Sequence, residues 1–573
     1  MLVKAAMKAF LLAAAVAAGA DALDNGLGRT PPMGFNTWNH FGCIKLAPGG
    51  SSGPKGPTET LMKAQAATMI SAGMAAAGYT HVNIDDCWQL TNRTLPWEDP
   101  KAKQIANPYH FPSGMKALAD HLHGLNPPMK LGVYTARCRF TCQLFAASFG
   151  HEAVDAQQWS EWGVDYLKMD ECYGAVEPPT WTGWDDAGVK PTRADGSCHD
   201  LDPDPLHRLG VMRDALNASG RPIFFSNEYP AAHENYPPYG QKGVYNFTWM
   251  VEHHGKAMGA HANMWRISQD IGASWHSILN NIDFDEMWAE FSAPGAINDP
   301  DMLQVGNGAL TQTEDLSHMS MWCMLAAPLL AGNDLTKMTP YVKSVLIHEG
   351  LIAIDQDPLV SQAVVAKEGG RNTSKLDQGW QIWKRPLHDG TKAALLLNRG
   401  ATNLSITLEF SDVGISGSPA KIHDVWARED LSLPSGAARF TAVVPAHGSL
   451  TLKLTPAAVA TATGGGAVRV CDSVRSIGQG GPRFTRPYVQ LDCAFDQSIT
   501  SIDRVVAGDD LDGWRCGQED HVVRPTGTAA GLNQGAQGGG WMVEEARAAC
   551  LGRRSCRVRL GQRPALALEG TCK

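Results

Sequence analysis

Eight short apolar runs recur between residues 30 and 335, and almost all of them end in polar or acidic residues. The runs are Met33–Trp38, His81–Asp86, Lys130–Ala136, Asp165–Asp170, Ile223–Glu228, Met264–Asp270, Ala293–Asp301 and Ala327–Asp334. Segments with helical character lie between most of them: Glu59–Ala77, Gly114–His123, Asp155–Trp162, Pro205–Ala218 and Thr313–Met324. Strands that alternate with helices favour a parallel sheet, and eight such strands close a (β/α)8 barrel. The sequence therefore predicts an α/β fold with a TIM-type barrel over residues 23–358.

The polar residues stand at the carboxyl ends of the predicted strands. In a barrel these ends form the face on which active sites are built. Any single carboxylate there can equally be the N-cap of the next helix, and for each one that alternative stays open. Caps alone do not explain seven strand ends that carry a carboxylate, Asn or Trp, so we expect these side chains to line one cleft.

The chain changes character after the predicted barrel. Alternating segments separated by turn residues predict an antiparallel β-sandwich over residues 359–456. These segments are Trp380–Trp383, Ala393–Asn398, Ser405–Phe410, Phe440–Val444 and Ser449–Leu454. Residues 457–466 are small and predict a linker. Residues 467–573 carry six Cys and predict a small disulfide-rich module.

The N-terminus and the charge balance bear on compartment and partners. Lys4 and Lys8 precede the apolar run Ala9–Ala20, and Ala20-Asp21-Ala22 follows, a pattern that predicts a signal peptide over residues 1–22. A buried N-terminal helix is the alternative. The run is shorter than the roughly 20 residues of a transmembrane helix, so no membrane span is expected. Because 49 Lys and Arg face 58 Asp and Glu, there is no basic surplus for a nucleic-acid partner.

A secretory route, to the extracellular space or a lysosome or vacuole, is consistent with the sequons and with the cysteines. Sequons begin at Asn92, Asn217, Asn246, Asn372 and Asn403. Thirteen Cys in an oxidising compartment are expected to be mostly paired, and their odd number leaves at least one free thiol. We expect that thiol to be Cys323, inside the apolar stretch Met319–Leu330.

Three acidic stretches within the predicted barrel suggest a chemistry: Asp85-Asp86-Cys87-Trp88, Lys168-Met169-Asp170-Glu171-Cys172 and Trp265–Asp270. Glycoside hydrolysis commonly uses one ionised carboxyl group to attack the anomeric carbon and one protonated carboxyl group to protonate the leaving oxygen. Lys168 lies two positions before Asp170, so both side chains project from one strand face. An ammonium group there favours the ionised carboxylate that a nucleophile requires.

At these stretches the sequence resembles glycoside hydrolase family 27, the α-galactosidases and α-N-acetylgalactosaminidases. The resemblance runs in order from residue 29 to about 456 and includes the sandwich. The segments that carry it are Arg29–Asn39, Asp85–Trp88, Leu131–Tyr134, Asp165–Asp170, Trp265–Ile271, Asn298–Leu303, Ala327–Leu330 and Ile352–Pro358.

The resemblance implies a retaining mechanism with Asp170 as nucleophile and Asp270 as acid/base. Retaining enzymes hold their two carboxyl groups roughly 5–5.5 Å apart. Further residues are implied to bind the sugar: Trp38 beneath its ring, Asp85 and Asp86 at the 4- and 6-hydroxyls, and Tyr134, Lys168, Arg266, Asp301 and Met302 around the remainder. Taken alone, Trp38 could be a core residue and Arg266 an ion-pair partner. Glu171 departs from the Asn or Gly that is more usual after the nucleophile.

Specificity is implied by the fifth strand end, Ser226-Asn227-Glu228-Tyr229. Glu228 would hydrogen-bond the 2-hydroxyl and exclude an acetamide, which favours galactose. Asn227 stands where the family has Cys, and Tyr229 where it has Trp. The resemblance also pairs Cys43 with Cys87 and Cys142 with Cys172, and elimination suggests Cys138 with Cys198. No metal spacing or nucleotide loop is present, so neither a metal nor a cofactor is expected.

Val489–Asp503 and Ala549–Val558 look like the galactose/rhamnose-binding lectin module of the sea-urchin egg lectin type. That resemblance implies sugar binding by residues 467–573, with a purely structural domain as the alternative. Family features are missing, since Ala507-Gly508-Asp509 stands in place of Tyr-Gly-Arg and the chain stops at Lys573, so the module is expected to be a remnant or incomplete.

The leading hypothesis is thus a retaining exo-α-galactosidase acting on a galactose-containing oligosaccharide or glycoconjugate. The alternatives are a β-L-arabinopyranosidase or an α-N-acetylgalactosaminidase of the same family, or a non-catalytic carbohydrate-binding protein with a degenerate barrel. A possible homodimer is left open, because the sequence gives no oligomeric state.

Overall fold

The structure is a computed structural model that describes residues 23, 25–43, 56–172, 205–228, 251, 255, 257–371 and 375–457, and five strands between 467 and 572. The strands before the sandwich are β1 (Met33–Asn36), β2 (His81–Asn83), β3 (Gln89–Arg93), β4 (Gln104–Ala106), β5 (Lys130–Ala136), β6 (Tyr166–Asp170), β7 (Phe224–Glu228), β8 (Met264–Arg266), β9 (Ile297–Asp299) and β10 (Leu329–Ala331). The helices are α1 (Trp38–Phe41), α2 (Glu59–Ser71), α3 (Met115–His123), α4 (Glu152–Trp162), α5 (Pro205–Ala218), α6 (Trp275–Glu286), α7 (Gln312–Leu325), α8 (Pro340–Leu346) and α9 (Glu349–Asp355).

Eight of these strands form one parallel sheet in the order β10–β1–β2–β5–β6–β7–β8–β9. The sheet curls until its edges meet, because Leu303, shortly after β9, makes a parallel bridge with Ala331 of β10. The Leu303 amide donates to the carbonyl of Leu330 at 2.8 Å, and its own carbonyl accepts from Gly332 at 3.0 Å. The predicted barrel fold is confirmed. Strands β3 and β4 form a separate hairpin beyond β2.

Side chains alternate between the two faces of each strand, and this alternation places an apolar layer at the amino-terminal end of the barrel and a polar layer nearer the carboxyl-terminal end, which we call the mouth. The first residues of four consecutive strands, Tyr166, Phe224, Met264 and Ile297, form one buried apolar cluster at the amino-terminal end. Because side chains two residues apart share a face, the next inward positions lie one layer nearer the opposite end. Those positions hold Lys168, Ser226, Arg266 and Asp299. The polar layer is therefore set by period-two spacing.

Helix starts are fixed by local capping. The Thr58 hydroxyl accepts from the Leu61 amide at 3.1 Å and begins α2, while Thr311 and Glu314 form a reciprocal capping box at the start of α7. Ser274 caps α6, which follows the segment carrying Asp270. Each cap satisfies backbone N–H groups that have no partner in the first turn.

The observed elements lie within two or three residues of most expected ones, and two differences matter. Helix α2 ends at Ser71 rather than Ala77, because Gly73 adopts a left-handed φ of 81°. Strand β8 ends at Arg266, so Asp270 lies on the following loop and not at the strand end. Apolar pattern alone extended this strand too far, since Ile267 is buried without pairing as a strand residue.

The second part of the same compact unit is an antiparallel sandwich, as expected. Its strands are β11 (Val364–Gly369), β12 (Trp380–Pro386), β13 (Lys392–Asn398), β14 (Leu404–Glu409), β15 (Lys421–Asp424), β16 (Glu429–Leu431), β17 (Arg439–Val444) and β18 (Ser449–Thr455). Six form one sheet, β11–β12–β13–β18–β15–β16, and β14 pairs with β17. Leu395 of β13 joins the large barrel core, whereas Leu396 faces the sandwich core, so this strand is apolar throughout.

The sandwich is joined to the barrel by a buried polar junction at α6. The guanidinium of Arg399 binds both carboxylate oxygens of Asp283, at 3.0 and 2.8 Å. The Arg399 carbonyl accepts from the Trp275 indole at 3.0 Å, and the Trp275 ring stacks on His447. The helix that follows the Asp270 loop is thus anchored near both of its ends.

A second compact unit contains residues 388–391 and 455–573. Its described strands, β19 (Ala467–Val470), β20 (Tyr488–Asp492), β21 (Ile499–Ala507), β22 (Ser555–Arg559) and β23 (Leu566–Cys572), form two small antiparallel sheets. The predicted domain boundaries stay predictions. Within the described ranges, no helix has both the length and the apolar character needed to cross a bilayer.

Candidate active site

Asp170 ends β6 at the carboxyl-terminal face of the barrel, and its carboxylate is held on both oxygens. The Tyr134 hydroxyl donates to Oδ2 at 2.7 Å, and the backbone amide of Glu171 donates to Oδ1 at 2.7 Å. Lys168 lies 3.8 Å from Oδ2, on the strand face it shares with Asp170. The side chain is buried, so the described contacts fix its position and leave little access to bulk water.

Burial and a neighbouring carboxyl group raise the pKa of Asp170. Removal from water is the larger cause, and the charge and hydrogen bond of Glu228 raise it further. Lys168 and the Tyr134 hydroxyl act in the opposite direction, because both favour the ionised form. The Glu228 carboxyl group next to Asp170 therefore opposes ionisation of Asp170.

Lys168 connects this pair to Asp85. Its ammonium donates to Asp85 Oδ2 at 3.0 Å, and the same oxygen accepts from the Asn36 side-chain amide at 3.0 Å. The ammonium also lies 5.1 Å from the centre of the Tyr134 ring. Although burial lowers it, the pKa of Lys168 is raised overall by Asp85, Asp170 and Glu228. The amine is held as a cation among carboxylates.

Asp86 is buried beside Asp85 but is bound by backbone groups. Its Oδ1 accepts from the Cys87 amide at 2.7 Å, and its Oδ2 accepts from the Gln143 amide at 2.9 Å. Burial raises the pKa of Asp86 to about 7, with a smaller contribution from Asp85. Cys87 adopts a positive φ of 81°, a strained conformation for a non-glycine residue, at the turn that places these carboxylates together.

On the other side of the mouth, Arg266 holds Asp270 and Asp301. Its Nη2 lies 3.0 Å from Asp270 Oδ1 and 3.3 Å from Asp301 Oδ2. The Asp301 carboxylate also accepts from the Ile271 amide at 2.9 Å, which ties down the Asp270 loop. The Asp270 side chain is 70% exposed, whereas those of Arg266 and Asp301 are almost fully buried.

Paired residues on neighbouring strands connect the Asp170 side of the site to the Asp270 side. Glu228 pairs in register with Arg266, and Arg266 pairs with Asp299. Burial raises the pKa of Asp299 to about 7, and Asp301 adds to the effect. Acidic and basic side chains therefore alternate around the described strand ends from Asp85 to Asp301.

Trp38 stands at the rim of this face, whereas Met302 is buried. Trp38 is half-buried at the start of α1, where its backbone amide donates to the Asn36 side chain at 2.8 Å. The neighbouring Asn39 side-chain amide donates to the Ile271 carbonyl at 3.0 Å, so this rim segment contacts the Asp270 loop. Met302 is buried beside Gly332. A side chain at position 332 would clash with the Met302 sulfur.

Two disulfides fix loops at the same face. Cys43 is bonded to Cys87 and Cys142 to Cys172, the pairings that the resemblance implies. Cys198, the expected partner of Cys138, lies outside the described residues. Cys323 is a buried free thiol. Sulfur atoms of Cys142 and Cys172 lie near Asp170, but as a disulfide they supply no thiolate for a metal.

Sequence reasoning placed the charged residues at this face but missed three contacts. Asn36 binds Asp85, the Gln143 amide binds Asp86, and Asp299 accepts from the Asp301 amide at 2.8 Å. Asn36 and Asp299 sit inside segments that resemble the family, which was the available signal. Gln143 acts through its backbone, so its residue type carried none.

Known protein families match this chain over both parts of its first unit. The family described as Alpha galactosidase A matches residues 30–187 and 176–357, and the alpha galactosidase C-terminal beta sandwich domain matches 377–454. The chain belongs to glycoside hydrolase family 27. It is an α-galactosidase by this membership, and a galactoside is the substrate that the family implies.

Relatives of this α-galactosidase match most of its length. An α-galactosidase of Coffea arabica is 36% identical over 441 residues, which cover 76% of this chain and 96% of the relative. The crystal structure of α-galactosidase I from Mortierella vinacea is 29% identical with a TM-score of 0.57, covering 76% of this chain and 100% of that one. The Saccharomyces cerevisiae α-galactosidase with raffinose is 26% identical with a TM-score of 0.58, covering 76% and 99%.

Proposed function

We propose that this α-galactosidase removes terminal α-D-galactosyl residues with retention of configuration, using Asp170 as nucleophile and Asp270 as acid/base. The observation that carries the proposal is the contrast between the two carboxyl groups. Asp170 is buried and held on both oxygens, whereas Asp270 is exposed beside Arg266. A nucleophile needs a fixed position, and a proton donor needs access to the leaving group and to water.

In the first step, a carboxylate oxygen of Asp170 bonds to the anomeric carbon as the bond to the leaving oxygen breaks. Asp270 gives its proton to that oxygen, and a galactosyl ester of Asp170 remains. In the second step, water loses a proton to Asp270 and attacks the same carbon, which releases Asp170 and galactose. Atoms and charges balance without a metal or cofactor.

Sugar recognition is assigned to the residues around this pair. We expect Asp85 and Asp86 to accept from the 4- and 6-hydroxyls, with Trp38 beneath the ring and Tyr134, Lys168, Arg266, Asp301 and Met302 around it. Glu228 is buried next to Asp170, where a 2-hydroxyl would come within reach. Raffinose-type oligosaccharides are a reasonable first substrate class, because the yeast relative is described with raffinose.

The test is hydrolysis of p-nitrophenyl α-galactoside by the wild type and by Asp170→Ala, with the first-formed anomer identified by proton NMR. We expect α-galactose first, and almost no turnover by the variant. Equal turnover by the two proteins would contradict the nucleophile assignment, and β-galactose as first product would contradict retention. An inactive wild type that still binds galactose would favour the carbohydrate-binding alternative.

Matched substrates test the specificity. Activity on p-nitrophenyl β-L-arabinopyranoside above that on the galactoside would favour the arabinopyranosidase alternative. Comparable activity on the α-N-acetylgalactosaminide would contradict the role of Glu228, since that carboxylate is expected to exclude the acetamide.

The described disulfides are typical of the secretory pathway. Residues 1–22 are assigned as a signal peptide, with delivery outside the cell or to a lysosome or vacuole. N-terminal sequencing of the protein secreted from eukaryotic cells should find a mature chain that begins at or close to Leu23. Retention of residues 1–22 would contradict this assignment.

Residues 467–573 are assigned as a lectin-like module that retains the enzyme near galactose-bearing substrates. The antiparallel strands in this region are compatible with such a module, and the sequence resemblance supports it. The full-length Asp170→Ala variant should stay on immobilised galactose even when the barrel is saturated by a tight galactose-mimicking inhibitor. Complete elution by that inhibitor would favour the structural alternative.

A further inference from the structure

A buried ion pair lies directly behind the nucleophile and is not used by the mechanism above. Arg137, which follows β5, pairs with Glu171, which follows Asp170. Both side chains are buried, at 0% and 2% exposure. Glu171 is also the residue that departs from the Asn or Gly more usual at this position. A charge placed here therefore has a partner from the neighbouring strand end.

The ion pair completes a closed set of contacts around Asp170. Ala136 and Asp170 are paired in register, and the Arg137 amide donates to the Asp170 carbonyl at 2.9 Å. The Arg137 side chain binds the Glu171 carboxylate. The Glu171 amide in turn donates to Asp170 Oδ1 at 2.7 Å. Of these contacts, only the Glu171 amide reaches the Asp170 carboxylate, and the others hold the backbone that carries this amide.

We propose that Arg137 and Glu171 are positioning residues that fix the Glu171 amide on Oδ1 of the nucleophile. The inference rests on the proposed role of Asp170. Glu171 does not touch the sugar in this scheme, because successive side chains at a strand end point to opposite faces. Its influence passes through the backbone. Loss of the ion pair would leave the peptide between Asp170 and Glu171 held only by the Arg137 amide, and the hydrogen bond to Oδ1, which favours the ionised form, would weaken.

A positioning role predicts a defect in nucleophilic attack, not in leaving-group protonation. Glu171→Gln should lower kcat/KM about tenfold, the order expected for one weakened hydrogen bond to a charged group. The loss should be similar for a 2,4-dinitrophenyl galactoside and for an unactivated alkyl galactoside. In the double variant Arg137→Met with Glu171→Gln, which removes both charges, the acidic limb of kcat/KM should move to higher pH, because Asp170 would lose a donor without a compensating change of charge.

The pair Arg137→Met and Glu171→Gln separates positioning from stability. Each single variant leaves one buried charge without its partner, whereas the double variant leaves two neutral side chains of similar shape. We expect the double variant to regain much of the Tm lost by the single variants while its rate of attack stays low. Full recovery of the rate would overturn the proposal, because buried charge alone would then explain the defect.

Arg93 and Asp155 provide a matched control, since they form an equally buried ion pair. Neither has a described contact with Asp170. Asp155→Asn should lower Tm without changing the leaving-group dependence or the pH limb. An equal loss of rate in this control would assign the effect to general stability and overturn the proposal.

The direct readout is the rate at which 2-deoxy-2-fluoro-α-galactosyl fluoride labels Asp170, followed by mass spectrometry of the intact protein. Labelling of Glu171→Gln should slow about tenfold relative to wild type and to Asp155→Asn. Normal labelling would overturn the inference while leaving the proposed function in place. Failure of the wild type to be labelled, together with an active Asp170→Ala variant, would instead refute the nucleophile on which the inference depends.

Discussion

Asp170 and Asp270 lie on opposite sides of the active site, and their carboxyl groups differ in burial and in hydrogen bonding. Asp170 ends a barrel strand, is buried, and receives donors from β5 and from its own following residue. Asp270 lies on a loop four residues beyond β8, is 70% exposed, and is held through Arg266. The first environment restricts movement and supplies donors to the carboxylate, although burial raises its pKa, whereas the second leaves the carboxyl group open to water.

This difference matches the two chemical roles proposed for these carboxyl groups. Attack on an anomeric carbon requires one geometry and a carboxylate held as an anion by nearby donors. Proton transfer requires a group that meets leaving groups of different size and then activates water. A strand end supplies the first environment and a loop the second. Arg266 links them, because it contacts Asp270 and also pairs in register with Glu228, whose carboxyl group lies beside Asp170.

The largest effect is expected from removing Asp170. Asp170→Ala should lower kcat by about 10⁴-fold or more with every leaving group, because the covalent step is lost. Added azide should restore turnover by entering the vacated space, and the product should be β-galactosyl azide. Formation of α-galactosyl azide would show that the nucleophile is still present and would break the comparison.

Removing Asp270 should give a loss that depends on the leaving group. Asp270→Ala should lower kcat/KM by about 10²–10⁴-fold for alkyl galactosides and much less for the dinitrophenyl galactoside, which needs no protonation. Azide should here yield α-galactosyl azide, because it replaces water in the second step. A uniform loss across leaving groups, measured in the same series, would remove Asp270 from the acid/base role.

Tyr134→Phe tests Asp170 alone, because it weakens the hydrogen bonding of this carboxylate and leaves the contacts of Asp270 unchanged. The change removes the donor to Asp170 Oδ2 and should lower kcat about 10- to 100-fold. Because that hydrogen bond lowers the pKa of Asp170, its loss should move the acidic limb of kcat/KM to higher pH. The measurement is a pH–rate profile, and an unmoved limb would mean that the hydroxyl does not act on the nucleophile.

The smallest expected effect is a shift of the acidic limb of kcat/KM to lower pH in Glu228→Gln. Glu228 raises the pKa of Asp170, so Glu228→Gln should let Asp170 ionise at lower pH. The limb should move down even though KM rises through the changed contact with the 2-hydroxyl. A limb that moved upward would show that Glu228 does not repel the nucleophile in the free enzyme.

Prediction from the sequence succeeded where the signal was local and periodic. The spacing of Lys168 and Asp170 placed both on one face, and they lie 3.8 Å apart there. The same two-residue period explains the buried apolar cluster at the amino-terminal end of the barrel, to which Tyr166 belongs. It failed at Asp270, because the buried residues Ile267 and Ser268 follow Arg266 although the strand ends there. Hydrophobic pattern reports burial, and burial continues where the chain leaves the sheet.

The sequence by itself determined the order of strands and helices, the sandwich and the family to which this α-galactosidase belongs, because these depend on periodicity and on segments of fixed order. Only the tertiary structure decided which charges meet. Asn36 reaches Asp85, and Arg137 reaches Glu171, between strands that become neighbours only when the sheet forms. Electrostatic partners depend on distance and burial, and neither is encoded in the spacing of residues along one strand.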